Sequence, residues 1–236
     1  MDGYSGKKFV CASGNIGVGK TTATDLLVEM LGLKKKEETW QDNPYMQQFY
    51  KAGTAKGELN PWAYRVQRNM LFRRVLDHDD INMATEDTIQ DRSLYEDMLF
   101  AENQFRMGLW TPEEYGKYSA FAALLHPELR SPDAIIYLWA SVPTLKERIK
   151  GRLEEPGRGG EVDLLKPGNT YLESLQSIYN TWFKEYRLGP KIRVDTEVLN
   201  VRDIEEDRQT LVTAVQAMLA GDAHVIDGLV GVENGR

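Results

Sequence analysis

Cysteine is almost absent: Cys11 is the only one in 236 residues. A lone thiol closes no intrachain disulfide, so stability must come from burial, and a reducing compartment is the default setting. Set in an apolar stretch, Cys11 reads as a small buried hydrophobe rather than a reactive thiol. No apolar run approaches the ~20 residues that a membrane helix needs, and the first residues show neither a signal peptide nor an Arg-rich transit segment. An excess of basic charge is missing too. With 29 Lys and Arg against 36 Asp and Glu, the formal net charge is −7. Phosphodiester polymers and anionic membranes demand a basic face, so neither a nucleic acid nor a membrane is expected as partner. The expected location is cytoplasmic. No internal repeat occurs, and the length suits one large α/β domain with a well-buried core rather than two of that kind.

What is present is concentrated near the start. Phe9 to Ala12 form a short apolar run that predicts a buried strand, and Thr21 to Leu31 carry helical apolar spacing. Between them Gly14-Asn15-Ile16-Gly17-Val18-Gly19-Lys20-Thr21-Thr22 fits G-x-x-x-x-G-K-[ST], the phosphate-cradling P-loop. Each residue type there has a reason. Backbone N–H groups at a helix N-terminus hold polyphosphate, and glycine lets the chain come close and adopt positive φ. Lys20 would reach the β and γ phosphates, while the Thr21 hydroxyl would ligate Mg²⁺.

Further along, strands alternate with helices. Helix 20–32 is followed by Lys34-Lys35-Lys36, expected as a solvated tail at the negative end of the helix dipole. A short second strand is expected over 37–40, then a helix presenting Tyr45, Met46, Phe49 and Tyr50, then a polar loop from Gly53 to Pro61. In the long helix 62–85 the apolar positions Val66, Met70, Leu71 and Val75 keep helical spacing, and Gln67 and Arg74, seven apart, share one face. Strands are expected at 88–90, 134–139 and 191–194, with helices over 94–105, 112–125, from Pro143 through Arg148 and Arg152, over 171–186 and over 202–219. The stretch from Glu154 to Gly168, rich in Gly, Pro and charge, reads as a mobile loop, and 221–236 as a frayed tail. This order predicts a five-stranded parallel sheet with right-handed crossovers and a ligand beyond the carboxyl ends of the strands, where Gly14, Glu38, Asp91 and Asp195 fall.

Taken together these motifs resemble the deoxynucleoside kinases, most closely the bacterial-type deoxyadenosine/deoxyguanosine kinases. Besides the P-loop, Glu38 followed by Asp42-Asn43-Pro44-Tyr45-Met46 and Phe49-Tyr50 is similar to that family's Glu…Asn-Pro-Tyr-Leu…Phe-Tyr block. Ile89-Gln90-Asp91-Arg92-Ser93-Leu94-Tyr95-Glu96-Asp97 resembles its Asp-Arg-Ser/Thr-Ile-Tyr-Glu-Asp string. The resemblance implies a P-loop kinase fold over residues 1–220 with a short lid near 148–168, and transfer of the γ-phosphoryl of ATP to the 5′-hydroxyl of a deoxynucleoside. It assigns Glu38 as general base, Asp91 with Thr21 to Mg²⁺, Arg92 to the transferred phosphoryl group, and Gln67, Arg74 and Asp97 to the base. Tyr50 would contact the sugar 3′-hydroxyl, Glu155 is a further candidate for substrate binding, and Trp40, Phe72 and Phe105 are candidate walls of the base pocket. An Arg-Asp couple accompanies purine and deoxycytidine preference in the family, so thymidine is disfavoured. Homodimers packed through helices flanking the substrate helix are common among its members.

The lid departs from the family pattern Arg-Ile-x-x-Arg-x-Arg. Here Arg148-Ile149-Lys150-Gly151-Arg152-Leu153-Glu154-Glu155 leaves one arginine missing in either alignment, unless Arg158 substitutes. Arg148 and Arg152, one turn apart, can both face the phosphates. Two rival functions share the P-loop: a deoxynucleoside monophosphate kinase, which would need extra cations for the acceptor phosphate, and a non-catalytic nucleotide-binding subunit.

Overall fold

The computed structural model describes residues 6–37, 40–125 and 129–222, together with the backbone of Leu229–Val230. Five strands, β1 Phe9–Ser13, β2 Lys34–Lys36, β3 Thr88–Asp91, β4 Ala134–Trp139 and β5 Lys191–Asp195, pair in parallel in the order β2-β3-β1-β4-β5. The expected parallel sheet is therefore present. Beyond β5 the two-residue strand β6, Leu229–Val230, pairs with Arg193 and Val194. The tail was expected to fray, yet these two residues use the open outer edge of β5. Residues 223–228 and 231–236 lie outside the described residues.

Both faces of the sheet are covered, as a parallel sheet requires. On one side Val10, Ile89, Ile136, Leu138, Ile192 and Val194 pack against α1 (Lys20–Leu31) and α8 (Glu205–Leu219). The alternate residues point the other way. Phe9, Cys11 and Ile135 meet Ile81 and Tyr186, and Tyr137 joins the larger core formed by α2 (Met46–Ala52), α3 (Ala63–Asn82), α4 (Asp97–Arg106), α5 (Pro112–Leu125) and α7 (Tyr171–Glu185). This period of two along β4 is what a strand buried on both faces dictates. Cys11 is fully buried and free, and burial raises its thiol well above the ordinary value, in keeping with a packing role.

Three local expectations are corrected. The lysine run is not a helix tail. Gly32, at φ 67°, ends α1 with its N–H on the Val28 carbonyl, and Lys34, Lys35 and Lys36 then pair in register with Thr88, Ile89 and Gln90 as the sheet edge. Their charge goes sideways: Lys35 pairs with Asp25 at 2.6 Å, and Lys36 with Asp80 at 2.6 Å and Asp77 at 3.0 Å. The second strand thus precedes the expected 37–40, and Trp40–Asp42 form a 3₁₀ turn.

The third correction concerns the loop after α6 (Val142–Gly151). Instead of a mobile connection, Gly159–Leu165 form a 3₁₀ helix with Glu161, Asp163 and Leu164 buried. Its attachment is specific. Asp163 Oδ2 accepts from the Thr54 N–H and hydroxyl, each at 2.7 Å, and Asn169 Nδ2 donates to the Thr54 hydroxyl at 2.8 Å. The glycine here serves contact rather than looseness, since a Cβ on Gly160 would lie 2.7 Å from the Tyr50 ring. The segment after α6 is thereby fastened to the C-terminal end of α2.

Burial alone would raise the Asp163 carboxyl, but the Lys166 ammonium and the two Thr54 donors outweigh it and hold it below the ordinary value of 3.8. A carboxylate depressed in the folded state stabilises above its unfolded value, and that contribution is lost as pH falls through the folded one. Asp163→Asn is therefore expected to be less stable than the parent at neutral pH, with the gap closing below 3.8. Denaturant midpoints of the two proteins measured across acid pH test this; a gap independent of pH would contradict it.

Candidate active site

At the carboxyl end of β1 the chain turns sharply into α1. Gly14 has φ 144°, and a Cβ there would stand 2.5 Å from the Leu138 carbonyl oxygen, so only glycine lets the loop pass β4 this closely. Gly19, at φ 99°, forms the N-cap of α1 without any side-chain cap, leaving the helix N-terminus to a ligand. Asn15 anchors the loop to α7: its Nδ2 donates to the Leu172 carbonyl at 3.0 Å and to Gln176 Oε1 at 3.1 Å. Lys20 is buried, with its Nζ on the carbonyls of Gly14 and Asn15, each at 3.1 Å.

Facing this loop is a cleft of about 1120 Å³ lined by Ile16 to Thr22, Gln67, Arg74, Asp91, Arg92, Arg148, Arg152, Glu155 and Arg158. Most of the sequence-predicted residues thus converge, although Gly14, Asn15 and Asp97 do not line the cleft. Glu38 lies outside the described residues, although Glu37 and Trp40 on either side of it line the cleft. A recess of about 60 Å³ opens behind Tyr50 and Gln67, walled by Ile16, Met46, Phe49 and Phe100.

Asp91 ends β3, and its Oδ2 accepts a hydrogen bond from Thr21 Oγ1 at 2.9 Å. Among the described residues no group of three or more His, Cys, Asp or Glu side chains could hold a metal by itself. A hydroxyl beside a carboxylate nevertheless suits Mg²⁺, a hard cation that usually takes one or two protein oxygens and fills its shell with water and substrate phosphate. Next to Asp91 the chain is strained. Arg92 has φ 68°, unusual for a residue with a Cβ, and its guanidinium lies 4.3 Å over the Phe100 ring while Nη1 donates to the Tyr179 hydroxyl at 2.8 Å. Outliers of this kind concentrate where a side chain must be aimed.

On α3, Gln67 and Arg74 are both buried on the cleft side. Arg74 Nη1 pairs with Asp97 Oδ1 at the start of α4, where both side chains are nearly solvent-free. A buried guanidinium and carboxylate in contact offset each other's desolvation, and the pair can present a donor fork beside an acceptor. Tyr50 completes this end. Burial, and then the Glu161 carboxylate, push its phenol upward, so it stays a hydrogen-bond donor.

On α6, Arg148 is half-buried and spans two loops: it donates to the Val18 carbonyl at 3.1 Å, to Thr196 Oγ1 at 2.8 Å and to the Thr196 carbonyl at 2.9 Å. Arg152 makes a two-pronged contact with Glu161, both bonds at 2.9 Å, and Arg158 Nη1 reaches the same carboxylate at 3.0 Å. Arg158 also lies 4.6 Å over the Trp40 ring. Glu155 sits at the mouth, largely exposed, 3.6 Å from Arg158 Nε.

Sequence reasoning missed Glu161, a buried acid on the inner wall, because it lies within a stretch whose composition signals only a loop. It also missed Phe100 and Met70 as cleft walls, since apolar helix residues look alike whether they face core or ligand. Of the aromatic walls expected, Trp40 lines the cleft. Phe72 instead faces out, 59% exposed, and Phe105 stacks on Tyr115 at 4.3 Å; neither lines the cleft.

The geometry has counterparts. Residues 10–220 match the family model described as Deoxynucleoside kinase. A deoxyadenosine/deoxycytidine kinase of Bacillus subtilis (strain 168) is 27% identical over 213 residues, covering 89% of this chain and 92% of that protein. A deoxyguanosine kinase of the same strain is 31% identical over 209 residues, 84% of this chain and 92% of that one. The structure of deoxyadenosine kinase from M. mycoides with bound dATP superposes with a TM-score of 0.72 at 26% identity, covering 89% of this chain and 99% of the other. With the P-loop, the Asp-Arg-Ser turn and the Gln67–Arg74 helix all opening on one cleft, the chain belongs to the deoxynucleoside kinase family of ATP-dependent phosphotransferases.

Proposed function

We propose that this protein transfers the γ-phosphoryl group of ATP to the 5′-hydroxyl of a purine deoxynucleoside or deoxycytidine, in preference to thymidine, within nucleotide salvage in the cytoplasm. The observation that carries this reading is the shared cleft: a phosphate-cradling loop with its Thr21–Asp91 pair at one end, and Gln67 with the Arg74–Asp97 couple at the other. Gln67 offers a donor and an acceptor to a base edge, and the charged couple adds a fixed fork beside a carboxylate.

Each residue then has a task. Lys20 exchanges the carbonyls of Gly14 and Asn15 for the β and γ phosphates. Glu38 accepts the proton of the attacking 5′-hydroxyl, a role supported by the cleft-lining residues Glu37 and Trp40 around it. Arg92, Arg152 and Arg158 stabilise charge on the transferred group, Arg158 standing in for the arginine that the lid sequence lacks. Arg148 ties the P-loop to the Thr196 loop along which the rest of the donor nucleotide extends. Tyr50 donates to a sugar hydroxyl, with Glu155 at the rim. Thr21 and Asp91 would hold Mg²⁺, which when bound neutralises the donor phosphates.

The dimer is part of the same proposal. Helices α3 and α5 leave Phe72, Leu76, Phe121 and Leu124 in solvent, an apolar surface suited to a second copy of the chain.

Incubation with MgATP and each deoxynucleoside should yield 5′-monophosphates of deoxyadenosine, deoxyguanosine or deoxycytidine faster than of thymidine; phosphorylation of dAMP in place of deoxyadenosine would overturn the reading. Glu38→Gln is expected to lower kcat at least about a hundredfold, and full turnover in that variant would remove Glu38 from the mechanism. Leu76→Arg combined with Phe121→Arg should sediment as a monomer where the parent sediments as a dimer. A parent that is already monomeric would refute the interface.

A further inference from the structure

Glu96 is fully buried, lies next to the cleft, and has no part in the chemistry described so far. Its carboxylate gathers four donors. Oε1 accepts from the Gly14 N–H at 3.2 Å and the Tyr179 hydroxyl at 2.7 Å, and Oε2 from the Ser13 hydroxyl and the Ser93 N–H, each at 2.9 Å. Gly14 is the first residue of the P-loop, and Ser93 follows Arg92. One side chain therefore spans the two segments that must act on the same phosphorus.

The connection extends to the arginine itself. A phenol has one proton, and Tyr179 gives it to Glu96, which leaves an oxygen lone pair to accept from Arg92 Nη1 at 2.8 Å. The backbone of Arg92 is held as well, its N–H on the Ala12 carbonyl at 3.0 Å. Arg92 keeps its left-handed conformation between these two restraints.

We propose that Glu96 is a positioning residue: it fixes the register of the P-loop against Arg92, so that phosphoryl transfer depends on it while nucleoside binding does not. The simpler alternative is helix capping, because Ser93 and Glu96 form a capping box at the turn that leads into α4. The two roles differ in their chemistry. A capping box works equally well with glutamine. Bridging does not, since each carboxylate oxygen takes a backbone N–H, from Gly14 on one side and Ser93 on the other. An amide would turn its own NH₂ toward one of them.

This inference rests on the kinase reading above, and its test is Glu96→Gln assayed for turnover and, by calorimetry, for deoxynucleoside binding. Positioning predicts a fall in kcat of about tenfold or more, with deoxynucleoside KM and affinity within about twofold of the parent. A kcat within about twofold of the parent would reduce Glu96 to a cap, and a parallel loss of deoxynucleoside affinity would reduce it to a general structural residue. Should Glu96→Gln fail to fold, Tyr179→Phe keeps the ring and removes only the relay hydroxyl. It should lower kcat about threefold or more at unchanged deoxynucleoside KM, and an unaltered kcat would overturn the proposal. Glu38→Gln run alongside separates the two readings, because full activity there with loss in Glu96→Gln would refute the assigned base and leave the positioning role standing.

Discussion

A buried carboxylate with four donors is the constraint on which this architecture turns. Strands β1 and β3 are neighbours in the sheet, so their carboxyl ends emerge side by side. Sheet pairing alone stops at Ala12 and Asp91, however, and the loop residues proposed to meet the phosphates come after those residues. Beyond the last rung two loops must hold one spacing in the absence of a ladder. Glu96 supplies that spacing, Asn15 ties the far side of the loop to α7, and the Gly14 approach to Leu138 closes the third side. The loop is thus seated by the protein before any nucleotide arrives, which is what preorganised phosphate recognition requires.

The sheet, most helices and the phosphate end of the cleft were legible in the sequence because each rests on a local signal. A continuous apolar run over Ala134–Trp139, a period near 3.6 along α3 and a glycine pattern ahead of Lys20 need no knowledge of distant residues. The Gln67–Arg74 spacing likewise carried over, since seven residues bring helix positions back to one face. Errors arose where tertiary pairing overrode local preference. Three consecutive lysines make a poor strand by propensity, but an edge position with Asp25, Asp77 and Asp80 close by makes them a satisfied one.

The mobile loop expected over 154–168 failed for a related reason. Glycine and proline report that the backbone can turn, not whether it is held. The restraints on Gly159–Leu165 come from Thr54, over a hundred positions away in sequence, through Asp163. Glu161 was hidden by the same composition, although it gathers Arg152 and Arg158 at the inner wall.

The lysine edge has a consequence for how the molecule behaves among its own copies. A parallel sheet ending in a bare strand offers a row of backbone groups to any passing chain, and such templates seed fibrous assembly. Here that border carries three lysines already paired with Glu86, Asp25, Glu37, Asp77 and Asp80, so a second copy brought edge to edge would have to displace those ion pairs. The flank is occupied by paired charge rather than open backbone, whereas the surface proposed for self-association is the apolar flank of α3 and α5.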